Sequence, residues 1–229
     1  MLNRFAASAP WIPALLPALA LIAGCQTVSD GYDRVVGKRP AQRAAELTPI
    51  QSTASLKVVW QGSVGSAEKN VFFPAVSGSV VYATGGSGSV TGFDAASGRA
   101  VARIEAGQRV TGGVGIGSGM VLLGTPRGEV LAFDREGKSL WKAQLSSEIL
   151  APPQAQDGVV VVRSADGRVY GLDVASGARK WVYQRSTPAL SVRTHAGLVV
   201  ERGGVFIGFP GGRLVALAIL NGNVGHART

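Results

Sequence analysis

A unit of about 40 residues recurs four times along this chain, and no other feature restricts its fold as strongly. Aligned on the glycine that opens each copy, the units read GSVTGFDAASGRAVA from Gly88, GEVLAFDREGKSLW from Gly128, GRVYGLDVASGARKW from Gly167 and GRLVALAILNGNVGH from Gly212. Their starts lie 40, 39 and 45 residues apart. A short apolar run precedes each: GSVVYAT at 78–84, GMVLLGT at 119–125, GVVVVRS at 158–164 and GGVFIGF at 203–209. Short strands separated by tight turns at this period are the signature of propeller blades. One such sheet cannot bury both of its faces, whereas stacked neighbours can. The predicted fold is all-β, a β-propeller with about four blades present.

Each unit has the same internal grammar. A Gly- and Asp-rich turn joins its strands, and turns of this kind need positive φ, which accounts for much of the total of 32 glycines. Asp94, Asp134 and Asp173 close a strand three or four residues ahead of Gly98, Gly137 and Gly177. At that spacing a carboxylate accepts hydrogen bonds from the amides of its own turn. The final strand then ends in Trp141 or Trp181, flat side chains suited to packing between neighbouring sheets. The first and fourth copies depart from this: Ala102 replaces Trp in one, while Ala218 replaces Asp and His226 replaces Trp in the other.

The formal charge of +9 raises the question of nucleic acid. Its carriers, among them Arg99, Arg103, Arg127, Arg168 and Arg179, are scattered over turns and strand ends, with no basic run or helix, so no nucleic-acid partner is expected. Catalytic motifs fail as well. His195 and His226 have no Cys or His at ligand spacing. GGVGIGSG at 112–119 does not complete G-x-G-x-x-G, and GKS at 137–139 has Ala132 where a phosphate loop needs Gly. The three repeat aspartates occupy matching turns in three different blades, a scaffold arrangement rather than a converging metal site. Neither an enzyme nor a metal or cofactor site is expected.

The first 24 residues carry Arg4 and the apolar stretch WIPALLPALALIAG, too short and too interrupted by Pro13 and Pro17 for a good membrane-spanning helix. The stretch LIAGC resembles a bacterial lipobox, and Cys25 is the only cysteine in the chain. The resemblance implies a signal peptide over 1–24, lipidation of Cys25 and, with Gln26 following, the outer membrane facing the periplasm. Several acyl chains hold far more firmly than one, at about 0.8 kcal/mol per buried methylene. Residues 25–54 read as the lipidated N-terminus and a flexible tether spanning roughly 30 Å, and 55–229 as a partial propeller.

The Gly–apolar–aromatic–Asp–turn–Trp pattern resembles the repeat of pyrroloquinoline-quinone-dependent enzymes. Lipobox, repeat and the lead-in strand VVWQGSVGS at 58–66 together resemble the BamB family, propeller lipoproteins of the outer-membrane β-barrel assembly machinery. That likeness implies a non-catalytic subunit without cofactor. It would dock on the periplasmic domains of BamA, sit among the other assembly-machinery subunits, and assist insertion of nascent outer-membrane barrel proteins. ALSVRT at 189–194 resembles the family's partner-contacting connection, which makes Leu190 and Val192 apolar anchors and Arg193 the charged contact. As an ordinary alternating strand, the same stretch would instead bury Leu190 and Val192. The family's propeller has eight blades, so the likeness also implies a truncated chain with exposed apolar edges. Two alternatives come from other classes: a periplasmic quinone-dependent dehydrogenase-like propeller, and a carbohydrate- or peptidoglycan-binding propeller.

Overall fold

The computed structural model describes residues 54–185 and 197–228, and within that range the chain is all β. Four antiparallel sheets of four strands each follow one another in the compact unit Lys57–Thr229. Blade 1 is β1 (Ala75–Ser77), β2 (Val80–Thr84), β3 (Ser89–Asp94) and β4 (Ala100–Glu105). Blade 2 is β5 (Gly112–Gly117), β6 (Met120–Gly124), β7 (Glu129–Phe133) and β8 (Ser139–Gln144). Blade 3 is β9 (Gln154–Gln156), β10 (Val159–Arg163), β11 (Val169–Asp173) and β12 (Arg179–Tyr183). Blade 4 is β13 (Leu198–Glu201), β14 (Gly204–Phe209), β15 (Arg213–Ala218) and β16 (Val224–Arg228). Each sheet is a simple meander, and the first strands β1, β5, β9 and β13 lie side by side. The blades therefore radiate from a shared inner edge, with β4, β8, β12 and β16 at the rim. This is a propeller arc of four blades.

Alternation along the middle strands explains why their sequences show none. In blade 2, Met120, Leu122, Val130 and Ala132 pack towards blade 3, whereas Val121, Leu123, Leu131 and Phe133 pack towards blade 1. In blade 3, Val160, Val162, Tyr170 and Leu172 turn back to blade 2, while Val159, Val161 and Val169 face blade 4. A strand buried on both faces needs an apolar residue at every position, which produces VVVV instead of an apolar–polar rhythm. The rim strands have one poorly covered face, and their burial falls to single positions such as Trp141 in SLWKAQ.

The inner strands lie outside the repeat alignment. β5 shows what their place demands. A Cβ on Gly115 would come within 1.9 Å of the Pro153 carbonyl oxygen, and one on Gly117 within 2.2 Å of that of Ala155. The glycine cluster at 112–117 thus lets blades 2 and 3 approach each other near the axis.

Three local expectations change. The last strands do not end at tryptophan: β8 continues to Gln144 and β12 to Tyr183, because pairing with β7 and β11 extends past the indole. The irregular NGNVGHART forms a rim strand all the same, since pairing of β16 with β15 uses backbone groups that any residue supplies. Residues 58–66, read as a strand, belong to no sheet among the described residues.

Leu122 is fully buried at the junction of blades 2 and 3, and Leu140 is exposed on the rim. Leu122→Ala is expected to cost about 2–5 kcal/mol in denaturant unfolding, against about 0.5 kcal/mol or less for Leu140→Ala.

Candidate functional site

The meander gives the arc two chemically distinct faces. Connections from each rim strand to the next inner strand, and the hairpins between second and third strands, share one face, as their hydrogen bonds show. Val110 N donates to Gly86 O at 3.1 Å, Ile149 N to Thr125 O at 3.2 Å, and Ala165 N to Glu148 O at 2.8 Å. The opposite face carries the first hairpin of each blade and the turn that closes the third strand. There Ala95 N donates to Ser79 O, Val174 N to Gly158 O and Ile219 N to Gly203 O, at 2.8, 3.1 and 2.9 Å.

The repeat aspartates stand on this second face, each inside its own turn. Asp94 Oδ1 accepts from Ser97 N at 2.9 Å and Ser97 Oγ at 2.6 Å. Asp173 Oδ1 accepts from Ser176 N at 3.0 Å, Ser176 Oγ at 2.8 Å and Ala175 N at 3.1 Å. Asp134 Oδ1 accepts from Lys138 N at 2.7 Å and Glu136 N at 3.1 Å. The Ser97 hydroxyl, followed by its amide, holds the Asp94 carboxyl below its ordinary value, and Ser176 does the same for Asp173. The three carboxylates do not converge, and among the described residues no group of three or more His, Cys, Asp or Glu is placed to hold a metal ion.

In blades 3 and 4 the turn that closes the third strand is also a socket. Trp141 Nε1 donates to Val174 O at 2.9 Å, and Trp181 Nε1 to Ile219 O at 2.8 Å, each reaching into the turn of the blade that follows. The socket glycine lies under the ring. A Cβ on Gly177 would come within 2.6 Å of Trp141, and one on Gly222 within 2.7 Å of Trp181. Both glycines have positive φ, 72° and 71°, so the position excludes side chains on two counts.

Sequence reasoning missed the third member of this set. Trp60 Nε1 donates to Ala95 O at 2.8 Å, its ring lies 5.8 Å from that of Phe93, and a Cβ on Gly98 would come within 2.7 Å of it. Residues 57–61 thus hold, against blade 1, the place that β8 and β12 hold against blades 3 and 4. A signal was present: Trp60, Trp141 and Trp181 lie 28, 26 and 31 residues ahead of the opening glycines Gly88, Gly167 and Gly212.

The connection face is the candidate docking surface. Between successive rim and inner strands lie residues 106–111, 145–153 and 184–197, and the third range, which contains ALSVRT, is the longest in sequence. Leu190, Val192, Arg193 and His195 lie outside the described residues, as do Cys25 and the expected signal peptide. What the structure describes is the frame around that connection: it leaves β12 at the rim and returns at Gly197 to β13 on the inner edge. Gly197 lines a cleft of about 390 Å³ with Phe73, Val76, Ile116, Pro152 and Pro153. Arg163, buried between blades 3 and 4, donates from Nη1 to Gly208 O at 3.0 Å and lies 5.2 Å over the Phe209 ring. Burial lowers its pKa. It braces the junction of blades 3 and 4.

Comparison with known proteins gives consistent results. The sequence model of the family described as outer membrane protein assembly factor BamB matches residues 86–228. A BamB of Nitrosomonas eutropha is 39% identical over 222 residues, covering 94% of this chain and 54% of the relative. One of Bordetella pertussis is 39% identical over 210 residues, covering 92% and 53%. The chain therefore spans about half the length of the curated relatives it matches. Among solved structures, BamB from Moraxella catarrhalis superposes with a TM-score of 0.63 at 32% identity, covering 69% of this chain and 48% of that one. A quinohemoprotein alcohol dehydrogenase of Pseudomonas putida, at 18% identity and a TM-score of 0.57, shares the fold alone.

Two outcomes test the sockets. Gly222→Ala forces a Cβ into the Trp181 ring at positive φ, so a loss of about 1–3 kcal/mol in unfolding free energy is expected, larger than for Gly211→Ala, where no atom stands near the new Cβ. Acid sensitivity follows from the lowered carboxyls. The unfolded chain takes up protons first, so stability present at neutral pH is lost as pH falls below about 4 through the lower folded values. Thermal midpoints measured from pH 7 to pH 3 should fall less steeply for Asp94→Asn/Asp173→Asn than for the parent.

Proposed function

This chain belongs to the BamB family of outer membrane protein assembly factors, and from that premise we propose that it is a non-catalytic, lipid-anchored subunit of the barrel-assembly machinery. The observation that carries the reading is the family match over 86–228, which runs from β3 of blade 1 to the end of blade 4. In this reading Cys25 carries the acyl anchor, and the arc faces the periplasm from the outer membrane. It docks on the periplasmic domains of BamA through the connection face.

The division of labour between the two faces supports this assignment. On the turn face, every repeat Asp and two tryptophans are engaged within the fold, so their chemistry goes into joining blades. The connection face carries the longest inter-blade segment, next to an inner-edge cleft with exposed Phe73 and Val76. A long surface connection held on a rigid β frame is the usual way a propeller presents a contact without altering its core. Leu190 and Val192 serve as the apolar anchors, and Arg193 supplies the orienting charge. Anchoring apolar side chains and an Arg are the residue types that concentrate binding energy at the centre of a protein interface.

The partner for the test is the isolated set of BamA periplasmic domains, immobilised and titrated with the detergent-solubilised full chain. Arg193→Glu and Leu190→Ala are each expected to weaken binding by about tenfold or more, equivalent to about 1.4 kcal/mol, with circular dichroism unchanged. Equal binding by parent and both variants would remove the 190–193 connection from the interface. A folded parent chain with no binding at all would remove the BamA docking role.

A further inference from the structure

The rim of the junction between blades 2 and 3 holds a cleft of about 660 Å³. Blade 3 supplies its floor, and residues 143–146, at the end of β8 and just beyond, supply a wall. Strand register sets the order of the floor. Tyr170 stands opposite Val182, and Leu172 opposite Arg179. Tyr170 and Leu172 pack towards blade 2, so their paired neighbours on β12 share that face, as does Arg168 two residues before Tyr170. All five line the cleft. The floor therefore runs from Arg168, past Tyr170 and the half-exposed Val182, to Arg179 beside Leu172. The two arginine positions lie about 13 Å apart along the strands, four residues at about 3.3 Å each.

Arg168 is held in place by a chain of hydrogen bonds that joins floor to wall. Its Nε donates to Gln184 Oε1 at 3.2 Å and its Nη1 to Asp166 Oδ2 at 2.7 Å. Ser146 Oγ donates to the same Asp166 oxygen at 2.6 Å, and Tyr170 Oη to Ser146 Oγ at 2.8 Å. These contacts engage two of the five N–H donors that a guanidinium carries. Asp166 offsets one of the two positive charges. Arg179 is exposed, and its guanidinium has no ion-pair partner among the described residues. The junction of blades 1 and 2 satisfies the same repeat positions internally. There Glu129 stands in place of Arg168, Lys142 in place of Val182 and Ser139 in place of Arg179. Lys142 Nζ lies 2.7 Å from Glu129 Oε1, and Gln108 Nε2 donates to Glu129 Oε2 at 2.9 Å.

We propose that the cleft between blades 2 and 3 binds an extended acidic peptide of the pattern acid–x–apolar–x–acid. In an extended chain alternate side chains share one face, and positions i and i+4 lie about 13 Å apart, which is the spacing of the two arginines. The central apolar side chain covers Val182. One carboxylate takes the remaining donors of Arg168, and the other pairs with Arg179, whose planar fork matches a carboxylate through two N–H groups. A single carboxylate or phosphate cannot span that distance. A sugar finds no stacking surface, because the one aromatic ring lining the cleft, that of Tyr170, is only 4% exposed. The chain's net charge of +9 adds long-range attraction for an anionic segment.

Fluorescence polarisation of a labelled peptide, titrated with the full chain in detergent, tests the site. The probe is Ser-Glu-Thr-Leu-Thr-Glu-Ser, labelled at its N-terminus and amidated at its C-terminus. Saturable binding, half complete below about 1 mM, is expected, and added salt should weaken it. Replacing either Glu with Gln, or moving the two Glu one residue closer, should weaken binding by about threefold or more. In the protein, Arg179→Ala and Arg168→Gln should each do the same, whereas Arg99→Ala, which removes an exposed cation from blade 1, should not. Val182→Glu sets an internal carboxylate between the two arginines, at the position from which Lys142 satisfies Glu129, and should abolish binding. Val182 and Arg179 are exposed, so both variants should keep the circular dichroism of the parent. Binding unchanged by Arg179→Ala and Val182→Glu would place the contact outside the cleft and overturn the proposal, as would a folded parent without saturable binding. Equal binding by peptides with a single Glu, or equal displacement by inorganic phosphate, would reduce the cleft to a simple anion site and overturn the peptide reading.

Discussion

Everything in this structure depends on sheet-on-sheet burial between neighbouring blades. A four-stranded antiparallel sheet hides its backbone polar groups within itself but leaves two apolar faces, and the natural cover for such a face is another sheet of the same kind. Three continuous clusters fill the three junctions, each built from alternate residues of adjoining blades. At about 25 cal/mol per Å² of apolar surface removed from water, these junctions are the main stabilising contribution available to a chain without a second cysteine. Stability is thus shared between neighbours, and no blade is self-sufficient.

Sheet stacking is non-directional, so something must set how far and at what angle one blade rotates on the next. Between blades 2 and 3 and between blades 3 and 4, the tryptophan socket does this at the rim. An indole from one blade is held at its N–H by a turn carbonyl of the next, over a glycine that has no room for a side chain. The residue offering that carbonyl is tied by its own amide to the first hairpin of its blade. The repeat aspartate keeps the turn in shape by accepting its amides. Asp, Gly and Trp of the repeat therefore form one joint, which leaves the opposite face free for connections of variable length.

Much of this was legible in the chain. The second and third strands of every blade, the turns and the structural placement of Asp94, Asp134 and Asp173 follow from local pattern, because turn chemistry and two-faced burial act within a few residues. The inner strands were not legible. Ala75–Ser77 and Gln154–Gln156 are three residues long, and their place at the axis is set by blades that stack on them rather than by their own composition. Trp60 was read as part of a lead-in strand, yet its partner Ala95 is 35 residues away. Only a match of its offset to those of Trp141 and Trp181 could have revealed it.

By itself the sequence determined the all-β architecture, the repeat of the blade and its turn chemistry, since each depends on residue types at fixed short spacing. Tertiary structure alone decided which alternate residues face which neighbour, which indole enters which socket and which end faces stay bare. Those outcomes arise between residues about a whole repeat apart. Composition cannot separate Phe206 from Leu122: both are large, apolar and at the same repeat position. Leu122 is fully buried because blade 3 stacks on it, whereas among the described residues no sheet stacks against Phe206 in blade 4.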